Sequence, residues 1–222
     1  MHMVRWGGVV WALVIAVAAA VAIEAVSVRH AEGDGRAAPG LRLNEILAAP
    51  ARDWDGDGLY DSKDDEWVEI QNAGPDVLAM DEYRLGDGVR TVRFGFSGTI
   101  APGEVKLIVG SAAVAWQRSR GLTTAGLSLN NSGDQVYLLR VTGPDTTTID
   151  THTYGSIEGG SDRSVGRAST GSEDWILFDS LNRYTGSGTP AGTGCSPTPG
   201  GVNGCTTHVG SETWGAIKRL YQ

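Results

Sequence analysis

The sequence predicts an all-β, antiparallel domain, a sandwich or a barrel, on three observations. Its 32 glycines are spread along the chain rather than gathered in one linker. Trp, Tyr, Val, Ile and Thr recur in short runs between Gly, Asn and Asp, which is the texture of strands joined by turns. The stretch Glu66–Asn72 (EWVEIQN) alternates, with Trp67, Glu69 and Gln71 on one face and Val68 and Ile70 on the other.

The chain opens with Arg5 ahead of an uncharged apolar run, Trp6–Ile23, closed by Glu24. Eighteen residues of helix span ~27 Å, just short of a bilayer core. A positive start before such a run is an export signal or a membrane anchor, and residues 1–30 are expected to form this apolar helix. Ala20-Val21-Ala22 offers a cleavage site. In either case Arg5 stays inside, the remainder of the chain is carried out, and membrane contact is confined to residues 6–23. Residues 31–39 read as a flexible linker, EGDGRAAPG closing at Gly40.

From Leu41 the strand candidates follow one another. They are Leu41–Leu47, Glu66–Asn72, the stretch VLAMDEYRLGDG (77–88), Thr91–Phe96, Val105–Val109, Gln135–Arg140, Thr148–Gly155 and Glu173–Phe178, with turn chemistry at Pro102-Gly103 and at Asn131–Asp134. Ser111–Arg120 is the one stretch with helical character, and the chain shows no internal repeat.

A set of short motifs now falls in order: LRLNEILAAP (41–50), DEWVEIQNAG (65–74), Leu78 with Asp81 and Leu85, IAPGEVKLIVG (100–110), LNNSGDQVYLLR (129–140), SVGR (164–167) and SPTPGGVN (196–203). Their order and spacing resemble a bacterial lamin-tail domain across about residues 40–203. The resemblance implies an immunoglobulin-like antiparallel β-sandwich that is not an enzyme, a module of the kind found on exported proteins. It places the domain at residues 40–205, with a C-terminal tail over 206–222. An acidic insert and a pair of cysteines depart from the simplest form of the family.

That insert lies within the stretch DWDGDGLYDSKDDEWVEI, Asp53 to Ile70. Between Asp53 and Glu69 stand eight acids and one lysine, a net of −7, against −8 for the whole chain. The negative balance is local. With the 15 arginines scattered, nothing resembles a phosphate-binding stripe, which argues against nucleic acid as a partner. Asp53, Asp55 and Asp57 are spaced by two, Gly58 follows, and Asp61 and Asp64 complete D-x-D-x-D-G-x-x-D-x-x-D. Calcium takes six to eight hard oxygen ligands, and alternate carboxylates around a glycine turn can supply them. The expected ligands of a structural Ca2+ are Asp53, Asp55, Asp57, the Leu59 carbonyl, Asp61 and Asp64, with Glu66 adding an oxygen if the loop folds back. The pattern resembles thrombospondin type 3 and dockerin-type calcium loops, with Asp in place of the long terminal Glu of an EF-hand. The alternative is a solvated acidic loop holding no ion.

Cys195 and Cys205 bracket SPTPGGVNG. In an exported chain they are expected to form a disulfide, closing an eleven-residue loop worth about 2–3 kcal/mol in the chain-entropy account. His152 is the only histidine inside the expected domain, and G-x-S-x-G, H-E-x-x-H and P-loop patterns do not occur. Trp116 and Tyr154 could stack on sugars or simply pack. The tail places Trp214, Ile217, Leu220 and Tyr221 at helical spacing beside Lys218 and Arg219, a docking segment or a frayed end. The functional expectation is an exported, calcium-stabilised binding or structural module, secreted or anchored with its domain outside. Its partner would be a protein, a glycan or a second copy. The alternative is a metal-dependent hydrolase using the acidic site.

Overall fold

Turn clusters divide residues 40–205, the part of the chain described by this computed structural model, into eleven strands and one helix. The apolar N-terminal helix, the 31–39 linker and the 206–222 tail lie outside the described residues. Among the described residues no helix is long and apolar enough to cross a membrane.

The strands are β1 (Leu41–Leu47), β2 (Trp67–Asn72), β3 (Leu78–Ala79), β4 (Tyr83–Gly86), β5 (Val92–Gly95), β6 (Thr99–Ile100), β7 (Val105–Val109), β8 (Gly133–Thr142), β9 (Asp145–Gly155), β10 (Ser164–Arg167) and β11 (Trp175–Phe178). Helix α1 (Gly110–Ser119) follows β7 directly. A five-stranded sheet in the order β11-β10-β1-β2-β7 and a four-stranded sheet in the order β5-β4-β8-β9 form an antiparallel, immunoglobulin-like sandwich. A two-stranded ribbon, β3-β6, forms no ladder with either sheet, but its Ile100 is buried in the core and its Leu78 packs against it. The core lies between the sheets. Leu43, Val68, Ile70, Ile108 and Val165 come from the first, and Leu85, Val136, Leu138 and Tyr154 from the second.

The β1 strand carries the feature that shapes the outer face. Leu43 pairs with Ile70, yet Glu45 pairs with Glu69, so Asn44 is the extra residue of a bulge. The bulge shifts the parity of the strand: Leu41 and Leu43 face the core before it, Ile46 after it. Without the extra residue Glu45 would point into the apolar core. With it, Glu45 and Leu47 join Trp67, Glu69 and Gln71 on the outer face.

Alternation in β2 suggests one wet face, but both faces are covered. Trp67 and Glu69 are each 0% exposed and Gln71 2%. Buried Arg167 of β10 links the layers: its guanidinium donates to the Leu43 carbonyl (2.8 Å) and to Asp150 of β9 (2.7 Å), and stacks over Trp175. His152 of β9 also stacks on Trp175, with ring centroids 3.7 Å apart, so it packs between the sheets. Tyr154 is buried in the core and Trp116 packs against Phe94, so both act as packing residues in the domain. Strand β4 lies within the expected stretch 77–88, whereas β10 was not expected as a strand: its sequence SVGR holds a single apolar side chain, so no alternation shows.

The acidic loop and its anchorage

The insert occupies the connection between β1 and β2. Gly56 and Gly58 take left-handed backbone conformations (φ 80° and 88°), and a Cβ at either would touch nothing. Backbone geometry, rather than lack of space, calls for glycine at these two turns. Between them the aspartates fold onto their own backbone. Asp53 accepts from the Gly56 and Gly58 amides (2.6 and 2.9 Å), Asp55 from Asp57 (3.1 Å) and Asp57 from Leu59 (2.7 Å).

These turns bring carboxylate oxygens of Asp53, Asp55 and Asp57 within 4.8 Å of one another. Ligand oxygens at ~2.3–2.6 Å from a calcium ion lie at most about 5 Å apart, so the triplet fits one ion. Asp61 and Asp64 stand outside the triplet. The Asp61 carboxylate accepts from the Lys63 and Asp64 amides, bonds that hold its pKa below the usual range. Asp64 is pushed up, first by burial and then by repulsion from Asp61, Asp55, Asp57 and Asp65. Leu59 is 72% exposed at the loop tip. Glu66 turns the other way: it is buried and accepts from the Leu129 amide, and burial lifts its pKa to about 8. It therefore braces the 127–130 turn rather than facing the aspartates.

Two carboxylates that the spacing did not single out hold the loop. Asp65 is 1% exposed; one oxygen accepts from the Trp54 and Asp55 amides (2.6 and 3.0 Å), the other from Asp61 (2.8 Å). It closes the insert on itself from inside. Asp162, just before β10, accepts from the Ala51 amide, the Arg52 guanidinium and the Trp54 indole (2.8, 2.9 and 3.1 Å). The Trp54 ring meets the face-forming Trp67 edge-on at 6.0 Å. At the far end the Asp64 and Glu66 carbonyls accept from the Ser111 and Gly110 amides at the start of α1. A Cβ on Gly110 would overlap the Lys63 carbonyl, so the helix meets the loop at a residue that has no side chain.

Beside Trp67 the same outer face continues into a buried polar patch. Glu45 accepts from Ser164 (2.5 Å) and from the amide and hydroxyl of Thr198 (3.1 and 2.5 Å). Glu69 accepts from Asn44 (2.5 Å) and the Gly200 amide (2.7 Å). Burial raises both carboxyls, Glu69 to about 8, with repulsion from Glu45 adding to it. Cys195 and Cys205 are disulfide-bonded, with Cα atoms 5.1 Å apart, and close the segment that lies over this patch.

The chain matches the Lamin Tail Domain family over residues 35–156, more than half of its 222 residues. No curated protein and no solved structure matches it. The match ends after β9, but β10 pairs with β1 inside the five-stranded sheet, so the fold itself runs on past the matched stretch. On the family match, and with an immunoglobulin-like sandwich to accompany it, the chain belongs to the Lamin Tail Domain family.

Proposed function

We propose that this protein is an exported, non-catalytic binding or structural module, and that one calcium ion fastens its acidic loop. The observation that carries the calcium reading is the gathering of Asp53, Asp55 and Asp57 on a loop already closed by Asp65. In this reading Asp61, Asp64 and the Leu59 carbonyl complete the shell when the loop tightens around the ion. Calcium offsets the repulsion among the carboxylates and locks the segment whose Trp54 covers Trp67. The non-catalytic reading rests on membership of an immunoglobulin-like family whose members work by binding or by holding structure. The partner is a protein, a glycan or a second copy of the chain.

Calorimetry of the full chain tests the ion. A dissociation constant of ~0.1–1 mM is expected, as for other extracellular calcium modules. At ~1 mM calcium the tighter limit stabilises the fold by about 1.4 kcal/mol, which chelation removes as a drop of a few degrees in Tm. Asp55→Ala with Asp57→Ala abolishes that response, and magnesium, which demands a tighter octahedron, substitutes poorly. Absence of heat at millimolar calcium would reduce the insert to a solvated loop.

Export is supported by Arg5, the apolar run Trp6–Ile23 and the disulfide. A reporter active only outside the cytoplasm, fused to the C-terminus, should be active, and a silent fusion rejects export. Sequencing the mature N-terminus separates cleavage after Ala22 from retention as an anchor.

A further inference from the structure

The segment Ser196–Asn203 lies across the outer face of the five-stranded sheet, over two carboxylates at directly opposed register positions, Glu45 and Glu69. Both are 0% exposed. Besides the Thr198 and Gly200 contacts, Asn203 accepts from Asn44 (2.7 Å) and donates to the Asn44 and Arg167 carbonyls (3.1 and 2.8 Å). The segment can come this close because Gly166 of β10, opposite Glu45, has no side chain. A Cβ there would lie 2.7 Å from the Asn203 amide nitrogen and 2.8 Å from the Glu45 side chain.

The two ends of the segment are held differently. Cys195 is 4% exposed; its carbonyl accepts from Ser180 (2.9 Å), its amide donates to Thr193 (3.1 Å), and the next residue, Ser196, bonds to Ser180 by its hydroxyl (2.7 Å). At the other end, among the described residues, no hydrogen bond holds Gly204 or Cys205, and the disulfide is what ties this end to Cys195. Cys205 is half-buried and Val202 is 59% exposed, so this end lies at the surface. The covered pair also works against closure. Two carboxyls taken out of water beside each other favour an arrangement that rehydrates them, and burial and mutual repulsion already raise the pKa of Glu69. A cross-link that limits how far the Cys205 end of the segment can move offsets that tendency.

We infer that Ser196–Asn203 is a redox-released strap, hinged at Cys195 and clasped at Cys205, which lifts from Glu45 and Glu69 when a dithiol reduces the disulfide. A thiolate of the dithiol attacks the sulfur of Cys205, and Cys195 leaves as a thiolate. The second thiol of the reductant then attacks the mixed disulfide. The dithiol becomes a disulfide, and Cys195 and Cys205 together gain two electrons and two protons. The sandwich stays folded because its ladders and its core between the sheets do not run through the strap.

Amide hydrogen exchange on the oxidised full chain, before and after dithiothreitol, decides the matter, with alkylation confirming two new thiols. The Thr198 and Gly200 amides should exchange about 10- to 100-fold faster after reduction, while β8 and β9 keep their protection. Cys205→Ser should reproduce that pattern without reductant; if the variant does not fold, reduction of the native protein still gives the answer. Unchanged exchange at Thr198 and Gly200 after full reduction would show that the strap is held without the disulfide. Loss of protection throughout β8 and β9 would show the disulfide to be a global support and not a latch. Either result overturns the inference.

Discussion

Replacing Asp65 by alanine is expected to destabilise the domain by about 3 kcal/mol and to weaken calcium binding at least tenfold, although Asp65 does not belong to the aspartate triplet. Its carboxylate is the shared acceptor of the Trp54, Asp55 and Asp61 amides. Hydrogen bonds to a charged group contribute ~1.5–3 kcal/mol each, and water replaces part of that where the loop is open to solvent. Without the acceptor, the two halves of the insert are no longer tied together, and the proposed calcium ion would have to gather Asp53, Asp55 and Asp57 alone. The ordering entropy then counts against binding. Asp65→Asn, which keeps one carbonyl acceptor, should fall between. The control is the Asp55→Ala, Asp57→Ala pair, which should lose calcium binding but keep the stability of the ion-free wild type. Urea unfolding in calcium-free buffer and calorimetry separate the two roles. Asp65→Ala protein with full stability and unchanged calcium affinity would remove Asp65 from the account.

The second large effect is a loss of stability as the pH rises. In the folded state Glu69 keeps its proton to about pH 8, because burial, and then Glu45 beside it, disfavour the carboxylate. Its ordinary value is 4.5. Between those limits the native state holds one proton more than the unfolded chain, so stability falls by ~1.4 kcal/mol per pH unit for this group. The contribution is complete below about 4.5 and lost once the pH has risen through 8. Glu45, also raised, adds to the slope in the same direction. Unfolding by urea at pH 5, 6, 7 and 8 without calcium should show the decline. Glu69→Gln should remove one proton's share of the slope, whatever its effect on absolute stability. An identical slope in that variant would mean that Glu69 does not carry the dependence.

Local chemistry made much of the loop readable. Spacing by two brought Asp53, Asp55 and Asp57 together, and Gly56 and Gly58 adopt the left-handed turns that such a loop needs. The same spacing argument gave no means of separating Asp64 from Asp65. They are neighbours of one chemical type, yet one lies in the loop and the other is buried as its internal clasp. Glu66 turned inward for a similar reason: its burial depends on the Leu129 amide, 63 residues away. Asp162 is further still, more than a hundred residues from the Ala51 amide and Trp54 indole it accepts. One signal was available for the outer face. In LRLNEIL the apolar residues fall at 41 and 43 and then at 46, a break in period two that marks the bulge at Asn44.

By itself the sequence determined the all-β class, the positions of the longer strands, the helix after β7, the aspartate loop and the pair of cysteines. Each is written in residues close together in the chain, where turn chemistry and periodicity act. Only the tertiary structure decided that β2 is covered on both faces, that Asp65 and Asp162 hold the loop, and that a disulfide-closed strap covers Glu45 and Glu69. Periodicity tells which way a side chain points from its strand. What lies on the other side is set by segments up to 159 residues distant, and their arrival there depends on the packing of the whole sandwich.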